Sequence, residues 1–60
     1  MKNNIAAIRQ QKNLQQKELA EIVGIGNDWL CDIEKGKGKP SMDLLEKLAN
    51  ALKCEIRDFF

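Results

Sequence analysis

Apolar residues in this chain recur at helical spacings of three and four rather than in strand alternation, so the fold must be built from helices. Ile5 and Ile8 lie three apart around Ala6 and Ala7, which sets a first helix over about Asn4 to Lys12, ending near Asn13. Leu19, Ile22 and Val23 mark a second over about Gln16 to Val23, stopped by Gly24 as a left-handed C-terminal residue. Leu30 and Ile33 share a face of a third, which ends by Gly36. Lys35-Gly36-Lys37-Gly38-Lys39-Pro40 then combines breakers with three lysines and reads as a loop. Ser41 caps a fourth helix, with Asp43 in its first turn and Leu44, Leu45, Leu48, Ala49 and Leu52 on a broad apolar face. A last short turn holds Ile56, Phe59 and Phe60. The expected architecture is an all-α, compact five-helix domain over residues 1–60 with short connections.

A chain of 60 residues buries only about 60% of its unfolded surface, so the core must be economical. Leu14, Leu19, Ile22, Val23, Leu30, Ile33, Leu45, Leu48, Leu52, Ile56 and Phe59 are expected to form it. Three positions depart from good capping. Gln15 and Gly26 stand where a Ser, Thr or Asn cap would serve better, and Lys53 occupies a helix end that favours glycine.

Several classes of activity are excluded at this level. Histidine is absent, which removes the commonest general base and metal ligand. No serine or cysteine has a histidine to activate it, and neither glycine cluster matches a nucleotide-binding fingerprint. The chain is therefore not expected to be an enzyme, and no cofactor, metal or small-molecule substrate is expected. No apolar run approaches the roughly 20 residues of a membrane span, and no secretory signal follows Met1. The two cysteines suit a reduced, cytoplasmic setting: Cys54 in packing, Cys31 half exposed. A net charge of +1 means that any affinity for nucleic acid must come from local charge placement.

The informative stretch runs from Gln16 to Lys35, QKELAEIVGIGNDWLCDIEK. Two short helices are joined by a glycine-containing turn, and Ala20 is the small residue that lets them cross closely. Such a pair presents the outer face of its second helix, about Asn27 to Glu34, and a lone helix fits a major groove about 12 Å wide.

With these residues the chain resembles the Cro/Xre-type, lambda-repressor-like helix-turn-helix family from about Ile5 to Phe60. The resemblance is carried by I-x-x-I-R at Ile5 to Arg9, Q-K-E-L-A at Gln16 to Ala20, and Val23-Gly24. It continues through I-E-K-G at Ile33 to Gly36, Pro40-Ser41, and the leucine-rich fourth helix running into R-D-F-F. It implies a helix-turn-helix at the second and third helices and binding of double-stranded DNA, usually a palindromic operator, by a homodimer. It also implies that Gln16 contacts a phosphate and that Arg9 and Glu34 form a partly buried ion pair between the first and third helices. Lys35, Lys37 and Lys39 stand where the family's loop nears the DNA backbone, and Lys17 joins Gln16 at the head of the second helix.

By position, Asn27, Asp28, Trp29 and Asp32 face the groove. Asn27 matches the edge of adenine, and an aspartate can accept from cytosine N4. Trp29 suits a thymine methyl or sugar, a protein partner, or packing against its own domain. The expected function is a sequence-specific repressor or controller, bacterial or phage- or plasmid-encoded, acting by occupancy, with Phe59-Phe60 and the fourth helix as dimer surface. The alternative keeps the fold and uses the acidic Trp29 face to dock a protein, as an antirepressor would.

Overall fold

The computed structural model describes residues 2–60 and contains four α-helices: α1 (Ile5–Gln11), α2 (Gln16–Val23), α3 (Asn27–Glu34) and α4 (Met42–Leu52). The expected fifth helix is instead a single 3-10 turn, Ile56–Phe59. There are no strands among the described residues, and no helix is long and apolar enough to cross a membrane. α2 is the hub: α1, α3 and α4 all pack on it, and the 3-10 turn closes against α4.

Chain chemistry explains where each helix stops and starts. Asn13 ends α1 at φ 59, a left-handed conformation that Asn tolerates better than most residues. Gln15 makes no side-chain cap, as expected, yet its own N–H donates to Glu18 Oε1 at 2.8 Å. Glu18, three residues on, thus supplies one half of a capping box. Gly24 takes φ 78, and both its N–H and that of Ile25 return to the Ala20 carbonyl. Gly26 gives α3 no side-chain cap, whereas Ser41 Oγ accepts from the Leu44 N–H at 3.1 Å. Lys53 does adopt the left-handed conformation, at φ 54.

The buried core comprises Ile5, Leu19, Ala20, Val23, Leu30, Ile33, Leu45, Leu48, Ala49, Leu52 and Phe59. Three expectations are corrected. Ile22 is 59% exposed, because the buried arc of α2 centres on Val23 with Leu19 and Ala20 beside it, and about 100° per residue turns Ile22 outward. Leu14 and Ile56 are only half-buried against the core. Phe59 is wholly buried in its own chain, with Phe60 edge-on to it at 6.5 Å, so only Phe60 remains on the surface.

The N-terminal residues act as a strap that periodicity did not reveal. The Asn4 N–H donates to the Phe59 carbonyl at 2.7 Å, and the Asn3 side-chain amide donates to the Ile33 carbonyl at 2.9 Å. Asn3 Oδ1 also accepts the Ile5 N–H at the head of α1. Two asparagines therefore join the start of the chain to its end and to the last turn of α3. Cys31 and Cys54 are both free thiols and half-buried. Burial pushes the Cys54 thiol above its ordinary pKa; Asp58 and Glu55 add to the shift and Lys12 opposes it.

Candidate nucleic-acid interface

α2 and α3 are separated by three residues, Gly24, Ile25 and Gly26. The left-handed Gly24 reverses the chain, and Ile25 folds back onto the core, which fixes the entry of α3. Leu30 and Ile33 are buried under α3, while Asn27, Asp28, Asp32 and Lys35 are exposed around its other side. The helical repeat lines up Asn27, Cys31 and Lys35 in one row, and Asp28 and Asp32 in the next. Cys31 thus lies in the middle of the outer face, a position the sequence reading did not give it.

The first turn of α3 explains part of this acidity. Asp28 lies beside the unsatisfied N–H groups of a helix start that Gly26 leaves uncapped, where a negative charge is favourable. Asp32 lies beyond that turn and gains no such benefit. Its carbonyl accepts the Lys37 N–H at 2.8 Å, which ties the lysine loop back to α3. Lys35, Lys37 and Lys39 are all exposed, as is Lys17 near the start of α2.

Trp29 faces away from the Asn27 row. Its indole is half-buried and packed against the core, and the outer edge of its six-membered ring lies under Gly38. A Cβ at Gly38 would come within 2.6 Å of Cζ3 and 2.8 Å of Cη2. Trp29 therefore packs between helix and loop, which draws its ring toward Gly38 and away from the position of a groove-facing side chain. Besides the core, the loop at Gly38 is its neighbour.

Behind this face sits a closed polar junction. Arg9 Nε donates to Glu34 Oε2 at 2.8 Å and Arg9 Nη2 to Glu34 Oε1 at 3.3 Å, a two-pronged pair. The two side chains are only 11% and 6% exposed. Arg9 Nη1 also donates to the Leu14 carbonyl at 2.7 Å, which holds the α1–α2 connection. Gln16 Nε2 donates to Glu34 Oε1 at 3.0 Å. A single carboxylate at the end of α3 thereby fixes α1, the connection and the head of α2, and among the described residues no buried side-chain N or O lacks a partner. The sequence reading identified the Arg9–Glu34 pair but not that Gln16 joins it.

Known proteins share this fold. A helix-turn-helix family model matches residues 5–59. An uncharacterised helix-turn-helix-type transcriptional regulator from Archaeoglobus fulgidus is 37% identical over 60 residues, covering 100% of this chain and 84% of that protein. Among solved structures, the restriction-modification controller protein C.AhdI from Aeromonas hydrophila superposes with a TM-score of 0.86 at 32% identity, covering 93% of this chain and 85% of its own. SinR of Bacillus subtilis, a master regulator for biofilm formation solved in complex with DNA, gives 0.80 at 31% identity, covering 88% and 86%. Other matching chains are longer, and this one spans 57% of one of them. The turn geometry, the closed Arg9–Glu34–Gln16 junction and these likenesses agree: the chain belongs to the Cro/Xre-type helix-turn-helix family.

Proposed function

We propose that the protein is a sequence-specific double-stranded-DNA-binding transcriptional regulator whose helix-turn-helix domain acts by occupying its operator. The observation that carries this reading is the outer face of α3, exposed and unobstructed while the rest of the helix is held from behind. Asn27 presents an amide suited to adenine N6 and N7; Asp28 and Asp32 present acceptors suited to cytosine N4. Gln16 Nε2 carries a second N–H besides the one given to Glu34, and that group meets a phosphate. Lys17, Lys35, Lys37 and Lys39 neutralise the backbone on either side.

A chain of this size covers one half-site, so useful affinity calls for a homodimer on a palindrome with half-sites about one helical turn apart. Phe60, 54% exposed at the end of the chain, and the outer side of α4 are the surfaces available for that pairing. The protein-docking alternative loses its centre, because Trp29 is engaged by Gly38.

Substitution separates the two kinds of contact. Asn27→Ala should relax discrimination at one base position by about 1–3 kcal/mol, read from competition between matched and mismatched duplexes. Lys37→Ala should weaken all sequences alike and make the salt dependence shallower by about 1 in log–log slope. Selectivity that survives Asn27→Ala, Asp28→Ala and Asp32→Ala together would refute base reading by this face.

A further inference from the structure

The contact between Trp29 and Gly38 lies between the two halves of the proposed interface, the base-reading helix and the lysine loop. After α3 ends at Glu34, Gly36 at φ 82 and Gly38 at φ 78 turn the chain back along the helix. Beyond the Gly36 N–H, which donates to the Ile33 carbonyl, two contacts support the returning loop beside Lys37 and Lys39. One is the hydrogen bond from the Lys37 N–H to the Asp32 carbonyl. The other is the Trp29 ring, on which Gly38 rests so closely that no side chain fits between them.

The ring is itself fixed from below by the core, so it sets the height at which the loop crosses. Lys37 and Lys39 flank the supported residue and are both exposed. Their reach toward a duplex follows from where Gly38 sits. A loop with two left-handed glycines and no support would sample many traces, and ordering it on binding would cost affinity.

We propose that Trp29 is a positioning residue for DNA binding: seated under Gly38, it holds the lysine loop so that Lys37 and Lys39 grip phosphates of the same duplex that α3 reads. The inference rests on the DNA-binding reading above and adds a residue that touches no DNA. Trp29→Phe removes the outer ring that reaches Gly38 and keeps an aromatic group against the core. Gly38→Ala leaves the core untouched and disturbs the same contact from the loop side. Part of its effect is backbone strain at positive φ, which remains whatever occupies position 29.

The test combines a DNA-free and a DNA-dependent reading on the whole chain. By NMR, the Gly38 Hα resonances of the parent should be shifted by the indole ring current, and Trp29→Phe should abolish that shift. Salt-dependent binding to a mixed-sequence duplex of about 20 bp then reports phosphate contacts, each worth about 0.9 in log–log slope. Trp29→Phe and Gly38→Ala should each make the slope shallower by between about 1 and 2, and Lys37→Ala should change it less in the Trp29→Phe background than in the parent. An unshifted Gly38 Hα, or a slope that falls with Lys37→Ala and not with Trp29→Phe, would overturn the positioning role while leaving DNA binding intact. A parent that shows no salt-dependent binding, with its Gly38 shift present, would refute the DNA reading and this inference with it.

Discussion

α3 and α4 solve the problem of a short helix in opposite ways. α4 has 11 residues, a Ser41 cap and four buried side chains, Leu45, Leu48, Ala49 and Leu52. It secures itself by its own sequence. α3 has eight residues, an uncapped start at Gly26 and two buried side chains, Leu30 and Ile33. An isolated helix of that length is unstable in water. It is held from outside instead: Arg9 and Gln16 on Glu34, Asn3 on the Ile33 carbonyl, the Lys37 N–H on the Asp32 carbonyl, and the loop on Trp29. Every one of these ties attaches to the inner side, the flanks or the C-terminal end, so the outer face is left clear for a ligand. α4 contributes stability, and α3 spends its neighbours' stability on presentation.

Breaking the self-sufficient helix should have the largest effect. Leu48 is fully buried, and Leu48→Ala should cost about 2–5 kcal/mol, measured by urea unfolding. A small domain has little more than that in reserve. Breaking the externally held helix comes next. Glu34→Ala strands the Arg9 guanidinium in a nearly closed site and should cost about 3 kcal/mol. The paired change Arg9→Met with Glu34→Leu should recover most of that stability, because well-packed apolar groups can replace a buried ion pair. It should not recover DNA affinity, since Gln16 loses its anchor. A paired variant that binds DNA like the parent would show that the junction serves stability alone.

Helix starts offer a finer contrast. Ser41→Ala should cost about 1 kcal/mol, whereas Gly26→Ser should gain a few tenths. Gly26 has the extended conformation of a cap residue, and nothing lies within 4 Å of a Cβ placed there. The smallest effect concerns Cys54, at the end of α4. Its thiol is harder to ionise in the folded chain than in the unfolded one, so the unfolded state loses the proton first. Stability should decline as pH rises past the ordinary thiol range near 9, and Cys54→Ala should remove that part of the decline.

The same contrast explains what the sequence made legible. The four helices were readable because periodic apolar residues and breakers are local signals; Gly24 and Ser41 behave as their chemistry dictates, and Lys53 takes the left-handed conformation its position demands against its own preference. The Arg9–Glu34 pair was readable only through resemblance, since the partners are 25 residues apart. The ties that make α3 usable were not legible. Asn3 and Gln16 reach α3 through isolated hydrogen bonds across the fold, as Asn4 reaches the end of the chain through two, and such bonds leave no periodic trace. Lys37-Gly38-Lys39 read as a loop, but nothing local says that Gly38 rests on Trp29. Ile22 failed as a core residue, and Phe59, expected in the core and found there, failed as part of a dimer surface, for a related reason. Their hydrophobicity was plain, and the rotation that turns one out and the other in is set by tertiary packing.

The central claim is that the outer face of α3 reads base sequence, and selection of the purified protein against a pool of random DNA duplexes tests it most directly. At about physiological salt, where specific and nonspecific binding separate, the account predicts enrichment of a palindrome with half-sites about 10 bp apart. The enriched positions should change when Asn27, Asp28 or Asp32 is replaced. A pool that stays flat while the protein is demonstrably folded would contradict the claim.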